Sequence, residues 1–294
     1  MSLEDTLSSW AQGPGTTEQQ KCDNAETAVK KAIARDSTLS VRSVTCFAQG
    51  SYRQRTNVRA DSDVDISAYC TDTIFFDLPD GTTAADFGIS TPAQYSHPAY
   101  KRDVQSALCS YFGSAAVTSG NKAFDIHENT YRVDCDVVPT FEYRRYWEDG
   151  SYRQGTAFLC DDGSRIINFP QQTYDNGVTK NTNTGRRFKR AVRILKRLSN
   201  RMSEDGIAEA KAVPSFLLEC LAWNVPNEGF SHSTYTADIR YVLAHVFNET
   251  RSDQDCNEWC EVNNCKYLFR PTQPWTRQQA NAFAGRAWRY LGFE

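Results

Sequence analysis

Between Glu18 and Asp36 the apolar residues Ala25, Ala28, Val29, Ala32 and Ile33 recur at three- and four-residue steps among Lys and Glu, which predicts an amphipathic helix. The period then changes. Residues 41–48, VRSVTCFA, are β-branched and mostly apolar and predict a strand that runs directly into Gly50-Ser51. From Asp63 to Tyr69, DVDISAY alternates, so a strand is expected with Asp63, Asp65 and Ser67 on one face and Val64 and Ile66 turned to the core. A polar stretch with Gly and Pro at 77–98 reads as a surface loop, and Tyr100 to Phe112 again has helical spacing. Ala123–His127 and Tyr131–Val138 read as a hairpin whose second strand stops at Pro139, a residue with no N–H for a ladder.

Beyond Arg186 the pattern turns helical, over residues 186–203, 214–223, 234–248 and 276–291, and the Asn-, Thr- and Gly-rich stretch from Asp175 to Gly185 is expected as the crossing loop. The fold class that follows is α+β. A mixed-sheet lobe with an N-terminal helix is expected over 1–185 and a helical lobe completing a ligand pocket over 186–294. A chain of 294 residues can bury the core this needs.

A net charge of −3 argues against a surface that grips nucleic acid throughout. The first twenty residues lack a basic segment followed by an apolar run, and no apolar stretch of about 18 residues occurs, so a cytoplasmic protein without a membrane partner is expected. Ten scattered cysteines then read as free thiols. Cys256, Cys260 and Cys265 would need His232 or His245 to complete a zinc site, and their spacing favours ordinary thiols.

Candidate chemistry lies in the first lobe. Transfer of a nucleotidyl group can use two metals about 4 Å apart, and magnesium prefers a few carboxylate oxygens while keeping positions for water and phosphate. Asp63 and Asp65 share a strand face, and RVDCDVVP offers Asp136, with Asp134 in reserve. An Asp-x-Asp pair alone is equally an exposed strand edge. Gly50 permits close backbone approach and Ser51 brings a hydroxyl and an amide for a phosphate, followed by a short polar segment carrying Thr56.

That order, GSYRQRTNVRADSDVDIS completed by VDCDVVP, resembles the polymerase β-like nucleotidyltransferases, and specifically the bacterial cGAS/DncV-like enzymes called CD-NTases. LSSWAQGPGTTEQQ, INFPQQTYDNGVTKNTNTGRRFKRAVRILKRL and PSFLLE are similar to the pyrimidine-using clade E branch, so the resemblance spans most of residues 3–223. It implies that Gly50 and Ser51 hold donor phosphates and that Asp63, Asp65 and Asp136 bind two Mg²⁺ ions, Mn²⁺ being able to substitute, with Asp136 helping to activate the attacking hydroxyl. It also implies template-independent joining of nucleotides into a cyclic second messenger that activates an effector in anti-phage (CBASS) defence.

On the helix after Gly185, Phe188, Val192 and Leu195 lie on one side and Lys189, Arg193 and Lys196 on another, a core face and a cationic face. By resemblance, Lys196 and Ser215 contact the triphosphate and Phe216 stacks on a base. Asn168 in IINFP has a carboxamide able to pair with the edge of uracil or cytosine, and is equally able to cap a turn before Pro170. Pyrimidine-using relatives are similar there, whereas purine users carry a smaller serine. The expectation is therefore a monomeric synthase of a uridine-containing cyclic dinucleotide, fed by UTP and ATP with CTP a further candidate, and needing no nucleic acid. Two alternatives share the metal motif: a sensor synthase activated by duplex nucleic acid, and an enzyme that modifies a small molecule or a protein.

Overall fold

The computed structural model describes residues 2–58 and 63–293, so residues 59–62 of the segment before Asp63 lie outside the described residues. Ser2 opens α1 (Leu3–Trp10) with a capping box, its hydroxyl accepting from Asp5 N while the Asp5 carboxylate accepts from Ser2 N. There follow α2 (Thr16–Arg35), β1 (Val44–Ala48), α3 (Gly50–Gln54), β2 (Val64–Asp77), α4 (His97–Phe112), β3 (Val117–Ser119), β4 (Phe124–Ile126), β5 (Cys135–Tyr146), β6 (Tyr152–Leu159) and β7 (Arg165–Asn168). Then come α5 (Pro170–Asn183), α6 (Phe188–Glu204), α7 (Ala208–Lys211), α8 (Ser215–Asn224), α9 (Tyr235–Glu249), α10 (Asp253–Cys256) and α11 (Arg277–Tyr290). The chain forms two compact units, a sheet unit of Gly15–Arg53 with Ser62–Pro170 and a helical unit of Met1–Pro14, Gln54–Asp61 and Gln171–Glu294.

The sheet unit is built on strands in the order β1-β2-β5-β4-β3, with β6 on β5 and β7 on β6. β2 and β5 run parallel and the other pairs antiparallel, which makes the sheet mixed. α2 buries Ala25, Val29, Ala32 and Ile33, four of the periodic residues, together with Cys22, in a core with Val64, Ile66, Phe124 and Val137, while Ala28 is only half-buried. Tyr100 of α4 stacks on Phe141 of β5 at 5.2 Å and sends its hydroxyl to Ala68 O at 2.8 Å.

β5 does not stop at Pro139 as expected; it continues to Tyr146. On one side Pro139 pairs in register with Ala68 of β2; on the other, β4 reaches only to Val137 and β6 starts only at Phe141. The missing N–H therefore falls in the gap between two neighbours, and the Pro139 carbonyl bonds to His97 Nε2 at 2.9 Å.

In the helical unit α6 is central, burying Phe188, Ala191, Val192, Ile194, Leu195, Leu198 and Met202. Leu7 of α1 joins this core, and the Glu4 carboxylate accepts Tyr235 N at 2.8 Å and Thr236 N at 2.7 Å, capping α9 from a distant part of the chain. Residues 175–185, expected as a loop, are mostly the second half of α5. Thr179 and Thr182 turn their hydroxyls onto the carbonyls of Asp175 and Val178 one turn back, so these polar side chains are satisfied within the helix. Gly177 is there for close packing, since a Cβ would stand 2.6 Å from Gln54 Oε1.

Candidate active site

Hydrogen-bonded register places the carboxylates of the sheet unit. Asp65 of β2 stands directly opposite Asp136 of β5, and Asp136 in turn stands opposite Asp125 of β4, so three aspartates form a row across three strands on one face. Asp63, just before β2, is two residues from Asp65 and shares its side by alternation. Further along the same face the polarity turns inward, where Ser67 and Thr140 share a buried hydrogen bond of 2.6 Å.

The glycine turn abuts this row. Gln49 N donates to Asp65 O at 2.8 Å, and Gly50 follows with φ +61, opening α3 with Ser51. A Cβ on Gly50 would collide with Asp65 Oδ2 and lie 3.1 Å from Asp65 Cγ. Gly50 thus leaves the space that the Asp65 carboxylate fills.

Electrostatics at the row favour a cation. Burial pushes the Asp136 carboxyl above its ordinary range, and the negative charges of Asp125, Asp63 and Asp134 push it further. Hard oxygen donors that repel one another, packed beside a glycine that leaves them room, fit a divalent ion of the magnesium type. Asp134 differs from Asp136 in accepting the Glu128 N–H of the hairpin loop. With Asp125 and His127 it brings one ligand atom per residue within 4.8 Å of one another, and His127 Nε2 meets Thr118 Oγ1 at 3.0 Å. Asp125 was missed by sequence reasoning, because only the long-range register of β4 on β5 reveals it.

Asn168 is the last residue of β7, half-buried, and pairs with Thr156 of β6. Gly155 lets its main chain in, since a Cβ there would lie 2.5 Å from Asn168 O and 3.0 Å from the Phe169 ring. Phe169, 1% exposed, packs edge-on against Tyr143 and under Arg145, and fixes the point from which Pro170 starts α5.

In the helical unit the expected cationic face of α6 is engaged rather than solvated. Arg193 donates to Ala11 O at 2.7 Å and Arg55 O at 2.6 Å and so braces the stretch after α3, where Arg55 has φ 54; burial lowers its pKa to about 10. Lys189 is buried, which lowers its pKa, and lies over the Tyr174 ring. Lys196 is 3% exposed and faces Thr56 and Glu219. Ser215 and Phe216 open α8, whose N-cap Pro214 supplies no side-chain cap, and the Phe216 ring leans on Trp275 at 6.1 Å while remaining 37% exposed.

A family model for the cGAS/DncV-like nucleotidyltransferase C-terminal helical domain matches residues 175–292. The cyclic dipyrimidine nucleotide synthase CdnE of Cecembia lonarensis is 43% identical to the chain over 291 residues, covering 99% of this chain and 98% of its own. The chain belongs to the cGAS/DncV-like nucleotidyltransferases. The CdnE of Legionella pneumophila, also a cyclic dipyrimidine nucleotide synthase, is 40% identical over 98% of this chain and 97% of its own. The solved CdnE cyclic dinucleotide synthase of Elizabethkingia meningoseptica, with GTP and Apcpp, superposes with a TM-score of 0.82 at 35% identity, over 99% of both chains. Membership makes the protein a nucleotidyltransferase acting on nucleoside triphosphates, a class that uses divalent metals, with the mixed sheet and helical domain of its relatives. Among the described residues no helix is long and apolar enough to cross a membrane.

Proposed function

We propose that this nucleotidyltransferase joins ribonucleoside triphosphates without a template into a cyclic dinucleotide containing uridine, as an anti-phage (CBASS) signal read by a cyclic-nucleotide-activated effector. The observation that carries the reaction is the register of Asp65 against Asp136 beside a glycine that only a side-chain-free residue can occupy. Asp63, Asp65 and Asp136 would hold two Mg²⁺ ions, which supply charge neutralisation for the phosphates. Asp136 would help to activate the attacking hydroxyl by accepting its proton. Gly50 and Ser51 contact donor phosphates. Lys196 and Ser215 contact triphosphate oxygens, and Phe216 offers its exposed ring to a base.

Pyrimidine use is supported by the two dipyrimidine synthases and by Asn168, whose carboxamide offers both a donor and an acceptor. Protein incubated with the four ribonucleoside triphosphates and Mg²⁺ should yield a cyclic product with a uridine, identified by mass spectrometry. Linear products alone, or none, would sink the reading. Asn168→Ser should shift incorporation from pyrimidine towards purine, and an unchanged product spectrum removes Asn168 from that role.

A further inference from the structure

In PSFLLE the last residue, Glu219, lies one turn along α8 from Ser215 on the same face. Its Oε2 accepts the Thr56 hydroxyl at 2.8 Å and Lys196 Nζ at 3.4 Å, and Lys196 Nζ also stands 3.3 Å from Thr56 Oγ1. All three side chains are enclosed, with exposures of 0% for Thr56, 3% for Lys196 and 2% for Glu219. Both charged partners have unused bonding capacity. Glu219 Oε1 is buried with no hydrogen-bond partner among the described residues. Lys196 carries three N–H donors, and its two acceptors are long compared with the roughly 2.8 Å of a charge-assisted bond.

A buried ion pair made this loosely does not recover the cost of removing two charges from water. What it does achieve is to hold the lysine Nζ in an enclosed position while leaving it able to bond better to another anion. We propose that Glu219 is a positioning residue: it holds Lys196 beside Thr56 in the nucleotide-free enzyme, and a nucleotide phosphate replaces it as the lysine's anionic partner. This rests on reading Lys196 as a phosphate contact. Glu219 and phosphate then compete for one cation. Removing the carboxylate charge leaves a buried lysine uncompensated, so the empty protein is weakened. It also removes the partner that phosphate must displace, together with a nearby buried negative charge, so triphosphate binds more tightly. A pair serving only the fold predicts the first effect without the second.

Glu219→Gln keeps an oxygen for the Thr56 hydroxyl and the shape of the side chain. The full-length wild type, E219Q, K196A and the double variant would be melted with and without a non-hydrolysable UTP analogue and Mg²⁺, the ATP analogue run in parallel, with affinities taken by calorimetry. E219Q should melt below wild type when empty, bind the analogue about tenfold more tightly, and gain a larger melting shift on binding. In the K196A background the same substitution should raise affinity by clearly less, because only the loss of the negative charge then remains. Should E219Q prove too unstable to purify, Glu219→Asp, which keeps the charge but lengthens the pair, should show a smaller gain in the same direction. Affinity that is unchanged or weaker in E219Q and E219D overturns the proposal. Wild-type protein that binds neither analogue overturns the nucleotide reading as well, and that failure is visible before any variant is made.

Discussion

Replacing Gly50 by alanine adds one methyl group at a position with φ +61, where the new Cβ runs into Asp65 Oδ2. Two costs follow, of different kinds. A left-handed backbone with a side chain costs roughly 1–2 kcal/mol, which in a chain of this size lowers the melting temperature by about 2–3 °C. The collision is cheap for the fold, because the atom struck is the far end of a side chain that can rotate aside. It is expensive for the chemistry, because the Asp65 carboxylate must retreat by roughly 1 Å, and a misplacement of that size can cost about 100-fold in rate. Steady-state synthesis followed by chromatography across a Mg²⁺ titration, alongside thermal melts, separates the two. Gly50→Ala should stay folded, lose about two orders of magnitude in kcat and need more Mg²⁺. Turnover indistinguishable from wild type at limiting Mg²⁺ would refute the argument that Gly50 is there to make room for the carboxylate.

Asp136→Asn should abolish synthesis and yet raise the melting temperature in chelator. The folded pKa of Asp136 lies above its unfolded value, so its ionised form weakens the fold at pH above the folded pKa, and this penalty fades as pH falls through that value. Melts of wild type and variant should therefore converge towards acid pH, and a gap that persists there would contradict this. Glu4→Gln should lower the melting temperature with catalysis little changed at low temperature. Although burial pushes the Glu4 carboxyl up, hydrogen bonds from Thr236 and Tyr235 outweigh it and hold the pKa low, so this stability is present above the unfolded pKa and lost as pH falls through the folded one. A melt unchanged near neutral pH would show that the α9 cap contributes nothing.

The long helices were legible because each carries one apolar stripe for one core, as α2 and α6 show. α5 was not, because its Thr and Asn residues carry loop propensity and only the closed threonine bonds show how the helix accommodates them. β6 and β7 escaped notice for a different reason: YRQGTAFL has no alternation, its first half lying exposed and its second buried. Asp65 and Asp136 could be picked out by spacing alone, whereas Asp125 needed the register of a three-residue strand. The cationic face of α6 was visible as charge. Its partners Ala11 O, Arg55 O and Glu219 come from distant segments that no local pattern reveals.

The capping of α9 by Glu4 has a consequence for the order in which the protein can form. Glu4 and Tyr235 are 231 residues apart, and at a synthesis rate of roughly 5–20 residues per second the first helix waits some tens of seconds for the backbone it will cap. Over that interval the apolar side of α1, with Leu7 destined for the core of α6 and α9, is among the first surfaces to emerge and among the last to be covered. All segments of the sheet unit, through Pro170, are synthesised before α6, whereas the core that takes Leu7 is completed only by the last helices.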